Sequence, residues 1–129
     1  SAGADGVALI NALRGMRIHT ETGLPLLHRQ VGGLCGPAIF PIALHRVFEA
    51  RKAFPETVIV GTGGVSDLRG ILEMLCAGAD LVGLGFAVMA DPNWVFRLAR
   101  DLDEWLTERG VADVGQLRGA SHRGGIYVR

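Results

Sequence analysis

One short pattern occurs twice in this chain and constrains its fold more than any other feature. Ala2-Gly3-Ala4-Asp5 leads into the apolar run Val7-Ala8-Leu9-Ile10, and Ala77-Gly78-Ala79-Asp80 leads into Leu81-Val82-Gly83-Leu84. Each copy places a glycine where a left-handed residue closes a helix, and the uninterrupted apolar run that follows suits a parallel strand covered on both faces. A third such run, Val58-Ile59-Val60, falls between the two copies.

Helical periodicity fills the intervals. From about Ala38 to Phe54, Ile39, Ile42, Ala43, Val47 and Ala50 share one face; from about Asp67 to Ala77, Ile71, Leu72 and Leu75 turn inward. Asp91-Pro92 has the form of an N-cap and first-turn pair opening a helix through Val95, Leu98, Leu102 and Leu106. On that helix Asp101, Asp103, Glu104 and Glu108 are expected to face solvent, and Trp94, Phe96 and Trp105 to pack inward. Strand, helix, strand, helix, strand is the order of a parallel α/β sheet. Ser1 to Ala4 reads as the last turn of a helix. Three parallel strands cannot close a barrel, which takes eight strands and about 250 residues. The expectation is a partial barrel over residues 1–120, its open edges covered by the remaining strands or by self-association. A tail, residues 121–129, is expected to extend past the fold.

Charge and cysteine usage exclude several functions. Thirteen Lys and Arg balance thirteen Asp and Glu, without a basic run, so neither nucleic acid nor an anionic membrane is expected as a partner. No apolar run approaches the about 18 residues of a membrane span, and a cytoplasmic location is the default expectation. Cys35 and Cys76 form no C-x-x-C pair, and His19, His28, His45 and His122 fit no ligand spacing, so free thiols and no metal site are expected.

Glycines collect where strands should end: Gly61-Thr62-Gly63-Gly64 after the middle strand and Gly83-Leu84-Gly85 after the last. At the C-terminal ends of barrel strands such turns present backbone N–H groups to a phosphate, commonly in the loops after strands 7 and 8. Either cluster alone fits an ordinary tight turn equally well; two clusters one βα unit apart favour phosphate. A P-loop is excluded because Gly63-Gly64 leads into Val65-Ser66 with no lysine, and a dinucleotide fingerprint because Ser66 occupies its third glycine position. Asn11, after the first strand, offers the donors and acceptor that suit a ring amide or imide, or else caps a turn or helix. Gly32-Gly33-Leu34-Cys35-Gly36-Pro37 forms a further glycine-rich turn, either an ordinary loop or a place for main chain to lie against a flat cofactor.

Together, Ala2 to Asn11, Gly32 to Ile39, Gly61 to Val65, Ala77 to Ala79 and Ala90-Asp91-Pro92 resemble the soluble, class 1 dihydroorotate dehydrogenases, in order and spacing over about residues 2–120. The resemblance implies an α/β chain forming the C-terminal portion, about strands 6 to 8, of a TIM (β/α)8 barrel. It implies FMN as cofactor and oxidation of dihydroorotate to orotate in pyrimidine synthesis. Asn11 would then contact the pyrimidine ring, Ile10 and Gly36 would lie against the flavin, and Gly63, Gly64, Gly85 and Phe86 would surround its phosphate. The family's catalytic cysteine and flavin-side lysine have no counterpart here, so no catalytic residue is expected in this chain. Some family members also pair with a subunit carrying FAD and an iron–sulfur cluster. The chain departs from the family pattern at Ala12, Cys35, Phe40 and Phe86, where hydroxyl residues or lysine are usual. Those departures keep open a related FMN oxidoreductase acting on another dihydropyrimidine-like ring, and a catalytically silent scaffold is the alternative outside enzymology.

Overall fold

A computed structural model describes residues 3–126. The expected helix turn at Ser1–Ala4 falls partly outside that range. β1 (Gly6–Leu9), β4 (Val58–Thr62) and β5 (Leu81–Gly83) form a parallel sheet in the order β1-β4-β5. Ala8 pairs with Val60, and Val60 with Leu81, so the two copies of the repeat flank the central strand. The sheet is linked through α1 (Phe40–Ala53) and α2 (Leu68–Ala77).

The second copy of the repeat folds as its residues suggest. Gly78 has φ 119°, and its N–H reaches the Leu75 carbonyl at 2.9 Å while the Ala79 N–H reaches Met74 at 3.0 Å. Those two bonds satisfy carbonyls that α2 would leave open, and they turn the chain into β5. A Cβ at Gly78 would lie 2.5 Å from Arg51 Cβ, which reserves the position for glycine on packing grounds as well. At the other end of α2, the Asp67 carboxylate accepts the Gly70 N–H at 2.8 Å as the N-cap.

The core lies between the sheet and α1 and α2, with Ile59, Met74, Val47, Ala43 and Ala79 fully buried. The α1 face differs from expectation at both edges. Burial follows Ile39, Ala43, Val47 and Arg51 in four-residue steps, leaving Ile42 45% exposed. Arg51 takes the last place in that row because every part of its head group is engaged. Its Nε donates to the Gly78 carbonyl at 2.9 Å, Nη1 to the Pro55 carbonyl, and Nη2 to Asp80 Oδ2 at 2.6 Å. Asp80 Oδ2 also accepts the Ile59 N–H at 2.7 Å, so one carboxylate ties α1 to the starts of two strands.

Other elements were not legible in the residues. Leu13–Gly15 (β2) and Gly32–Leu34 (β3) pair antiparallel, enclosing an excursion with a bridge between Ile18 and Pro25. The first half of the expected glycine-rich turn is therefore strand; a Cβ at Gly33 would lie 2.7 Å from Ala12 Cβ, which explains its glycine. α3 (Phe86–Ala90) precedes α4 (Trp94–Glu108). The Asp91 carboxylate accepts the Asn93 N–H at 2.9 Å and pairs with Arg97, so it caps a turn before α4, and the helix starts later than the Asp91-Pro92 pair suggests. Trp94 donates its indole N–H to the Ser66 carbonyl at 3.0 Å, and Trp105 packs against the core, but Phe96 is 74% exposed.

The segment after residue 120 does not leave the fold within the described residues. Ser121 Oγ donates to the Cys76 carbonyl at 2.6 Å, the His122 ring stacks on Phe48 at 4.1 Å, and Ile126 packs on the core.

The Arg51–Asp80 pair yields a test. Replacing Asp80 by Asn removes the charge opposite a buried guanidinium while keeping an acceptor for Ile59. Asp80 is partly solvent-exposed, so the loss is expected to be about 2 kcal/mol, below the roughly 3–5 kcal/mol of a fully buried pair. A urea unfolding midpoint equal to the parent's would refute this assignment.

Candidate functional site

The C-terminal ends of the three parallel strands converge on one cavity of about 280 Å³. Ile10, Asn11, Gly36, Gly63, Gly64, Gly85 and Phe86, all singled out from the sequence, line it, together with Ala12, Cys35 and Thr62. The β1–β4 pairing continues beyond β1 through the Ile10 N–H, which donates to the Thr62 carbonyl at 2.8 Å and fixes Ile10 beside the end of β4. The Leu9–Ile10 peptide bond is cis.

The four glycines have different physical reasons. Gly63 and Gly64 have φ of 118° and 77°, and added Cβ atoms would lie 2.9 Å from Ala43 Cβ and 2.7 Å from the Gly36 carbonyl oxygen. Packing of the β4 turn beneath the start of α1 therefore demands glycine at both, whatever the cavity holds. Gly36 has φ 96° with open space around it. Gly85 has an ordinary φ of −111°, and a Cβ there would meet nothing within 4 Å. Neither conformation nor protein packing requires glycine at Gly85; free space beside the cavity is what a side chain would take away.

Asn11 is exposed at the cavity and is followed by β2, so it caps no helix, and its amide makes no hydrogen bond among the described residues. Phe86, the first residue of α3, is 54% exposed, which answers how so bulky a side chain is accommodated beside the glycines. At the start of α3 the Val88 and Met89 N–H groups bond back to the Gly85 carbonyl, so the N–H groups of Phe86 and Ala87 precede the helical ladder. Thr62 and Cys35 stand in segments the sequence singled out for their glycines and not for these side chains, and the β2–β3 pairing that sets Ala12 and Cys35 at the cavity has runs too short for strand periodicity to show.

No group of three or more His, Cys, Asp or Glu able to hold a metal ion occurs among the described residues. No described helix is long and apolar enough to cross a membrane. Among the described residues no Lys or Arg lines the cavity, so what this chain offers an anion there is main-chain N–H groups and the polar side chains of Asn11 and Thr62.

A family model described as dihydroorotate dehydrogenase matches residues 1–106. The chain belongs to the dihydroorotate dehydrogenase family. It is 42% identical over 124 residues to the dihydroorotate dehydrogenase B (NAD(+)) catalytic subunit of Desulforudis audaxviator, covering 96% of this chain and 40% of that protein. The proteins of the same name from Trichlorobacter lovleyi and Bacillus caldolyticus are 40% and 38% identical, over 92% and 98% of this chain and 39% and 40% of theirs. The chain thus spans about 40% of the length of the curated relatives it matches. Within this family member, the parallel α/β sheet agrees with the barrel architecture expected from sequence.

The two thiols should differ in reactivity. Cys35 is exposed at the cavity, whereas burial pushes the Cys76 thiol above its ordinary value, with Glu73 adding to the shift and Arg123 opposing it. A raised thiol carries less thiolate at neutral pH. Brief iodoacetamide treatment at pH 7.5 followed by peptide mass spectrometry is expected to find Cys35 alkylated well before Cys76; equal rates would contradict the burial of Cys76.

Proposed function

We propose that this chain supplies the FMN-phosphate grip and part of the substrate site of an oxidoreductase that converts dihydroorotate to orotate. The observation that carries the reading is the convergence on one cavity of six residues from three strand ends and of Gly36 from the loop after β3, with open space at Gly85 that packing does not explain. In this reading the chain contributes about strands 6 to 8 of the (β/α)8 barrel. The cavity, about 280 Å³, lies just below the roughly 300–1,000 Å³ typical of ligand sites, which suits the phosphate end of FMN better than the whole cofactor.

The residues present fit such a group. Gly63, Gly64, Gly85 and Phe86 would surround the phosphate, with main-chain N–H groups as donors, as at other anion sites built from turns and helix starts. Ile10 and Gly36 would lie against the ring system, one giving an apolar surface and the other leaving room for close approach. Asn11 would present its unpaired amide to the pyrimidine ring, where it can both donate and accept and so orient an imide. When bound, FMN supplies the hydride acceptor for oxidation of the ring. These side chains bind and orient; none is assigned proton transfer.

The relatives' name, catalytic subunit of dihydroorotate dehydrogenase B (NAD(+)), supports a partner subunit for electron transfer; the family resemblance adds that such a subunit would carry FAD and an iron–sulfur cluster. Ala12 favours a second reading. It places a methyl at the cavity where the family usually has a hydroxyl, and this suits a related dihydropyrimidine lacking a partner for that hydroxyl. Turnover of dihydroorotate compared with other cyclic dihydro-imides separates the two.

The test separates binding from stability. Gly85→Val fills the open space without a strained φ, so the native protein carrying it is expected to keep its melting temperature but lose roughly tenfold or more in FMN affinity, about 1.4 kcal/mol. Gly64→Ala, by contrast, should lower stability because its Cβ collides with backbone. Unchanged flavin absorbance and affinity in Gly85→Val would overturn the phosphate assignment.

A further inference from the structure

At the opposite end of the sheet, where β5 begins, a larger cavity of about 730 Å³ opens between the end of α1 and the segment following α4. Four cations line it, Arg51, Lys52, Arg118 and Arg123, and no carboxylate does. Asp80 lies alongside, bonded to Arg51 and 2.7 Å from Arg118 Nε, and Asp113 at the edge is tied to the Gly115 N–H at 2.6 Å.

The cations divide into two kinds. Arg51 and Arg123 are committed to the scaffold: Arg51 as described, and Arg123 through Nη1 to the Arg118 carbonyl at 2.6 Å and Nη2 to the Gln116 carbonyl at 3.1 Å. Lys52 is not, and Arg118 is only in part: its Nε lies 2.7 Å from Asp80 Oδ1 and its Nη2 donates to the Pro55 carbonyl at 3.5 Å, while its Nη1 makes no hydrogen bond among the described residues. Lys52 is exposed and makes no hydrogen bond or ion pair among the described residues. Arg118 Nε is buried against Asp80 as an ion pair, though out of line for a hydrogen bond, while the side chain as a whole is 39% exposed. The concave wall concentrates the positive potential of all four groups on one volume. An unpaired Lys52, a cationic lining and a volume within the ordinary ligand-site range of about 300–1,000 Å³ occur together here.

We propose that this cavity is a second binding site, for a diphosphate group, inorganic or borne on a nucleotide, distinct from the FMN-phosphate cavity at the other end of the strands. Lys52 and Arg118 contact the anion; Arg51 and Arg123 hold the walls. The inference does not rest on the flavin reading, because none of its residues lines that cavity.

Calorimetric titration of pyrophosphate into the native, flavin-loaded protein at low ionic strength tests it. One saturable site is expected, weakened about tenfold or more by Lys52→Glu, restored by Lys52→Arg and weakened by added salt. Lys52 is exposed, so folding is unaffected, and flavin content serves as the control. Titrating ADP in parallel distinguishes the sources: equal affinity assigns recognition to the diphosphate alone, tighter ADP binding adds contacts to the nucleoside, and either result supports the site. Absence of saturable binding, binding unchanged in Lys52→Glu, or binding only to flavin-free protein would overturn the proposal.

Discussion

How closely β4 can turn beneath the start of α1 governs the rest of this structure. Gly64 approaches the Gly36 carbonyl and the Phe40 backbone so closely that no Cβ fits, and Gly63 is pressed against Ala43 and Ile10 in the same way. That contact brings the turn after β4 against the loop after β3 and against Ile10 at the end of β1. Three segments distant in sequence then share one rim. Were the turn a single methyl wider, α1 would move away from the sheet and the cavity floor would open to the core.

A second constraint acts at the other end of the same helix and sheet. Asp80 gathers Arg51, the Ile59 N–H and Arg118 around one carboxylate, so the last turn of α1 and the starts of β4 and β5 are held in common. Such a cluster is costly to desolvate and contributes little net stability compared with apolar residues of the same size. What it contributes is alignment, since the charges are satisfied only when helix and strands take this relative position. Packing fixes one end of the sheet and charge the other.

Much of this was legible in the residues. The repeated Ala-Gly-Ala-Asp pattern located two strands and the helix end before β5 because it states a local rule, a left-handed glycine followed by an apolar run. The glycine clusters and Asn11 fell where the strands end, and the order of strands and helices told which ends would be neighbours. Less visible were features that depend on distant partners. Arg51 lies in a buried row where the sequence offers only a charge, since Gly78 and Asp80, which hold two of its nitrogens, follow more than twenty residues later. The β2–β3 pair is too short and too rich in glycine for alternation, and His122 looks like part of a tail until Phe48 is found beneath it. Among the glycines, residue type alone could not separate those required by packing or by backbone conformation from Gly85, which neither requires.

That last distinction bears on how this protein tolerates change. Gly63 and Gly64 are bound to the fold, so a substitution there depletes the folded protein and any lesion is seen as lost abundance. Gly85 is unconstrained by its own chain, and a variant there would accumulate to normal levels while, on the proposed phosphate reading, carrying a damaged site. A survey of variants scored by abundance would therefore rank Gly85 as neutral, and only a screen that demands function would recover it.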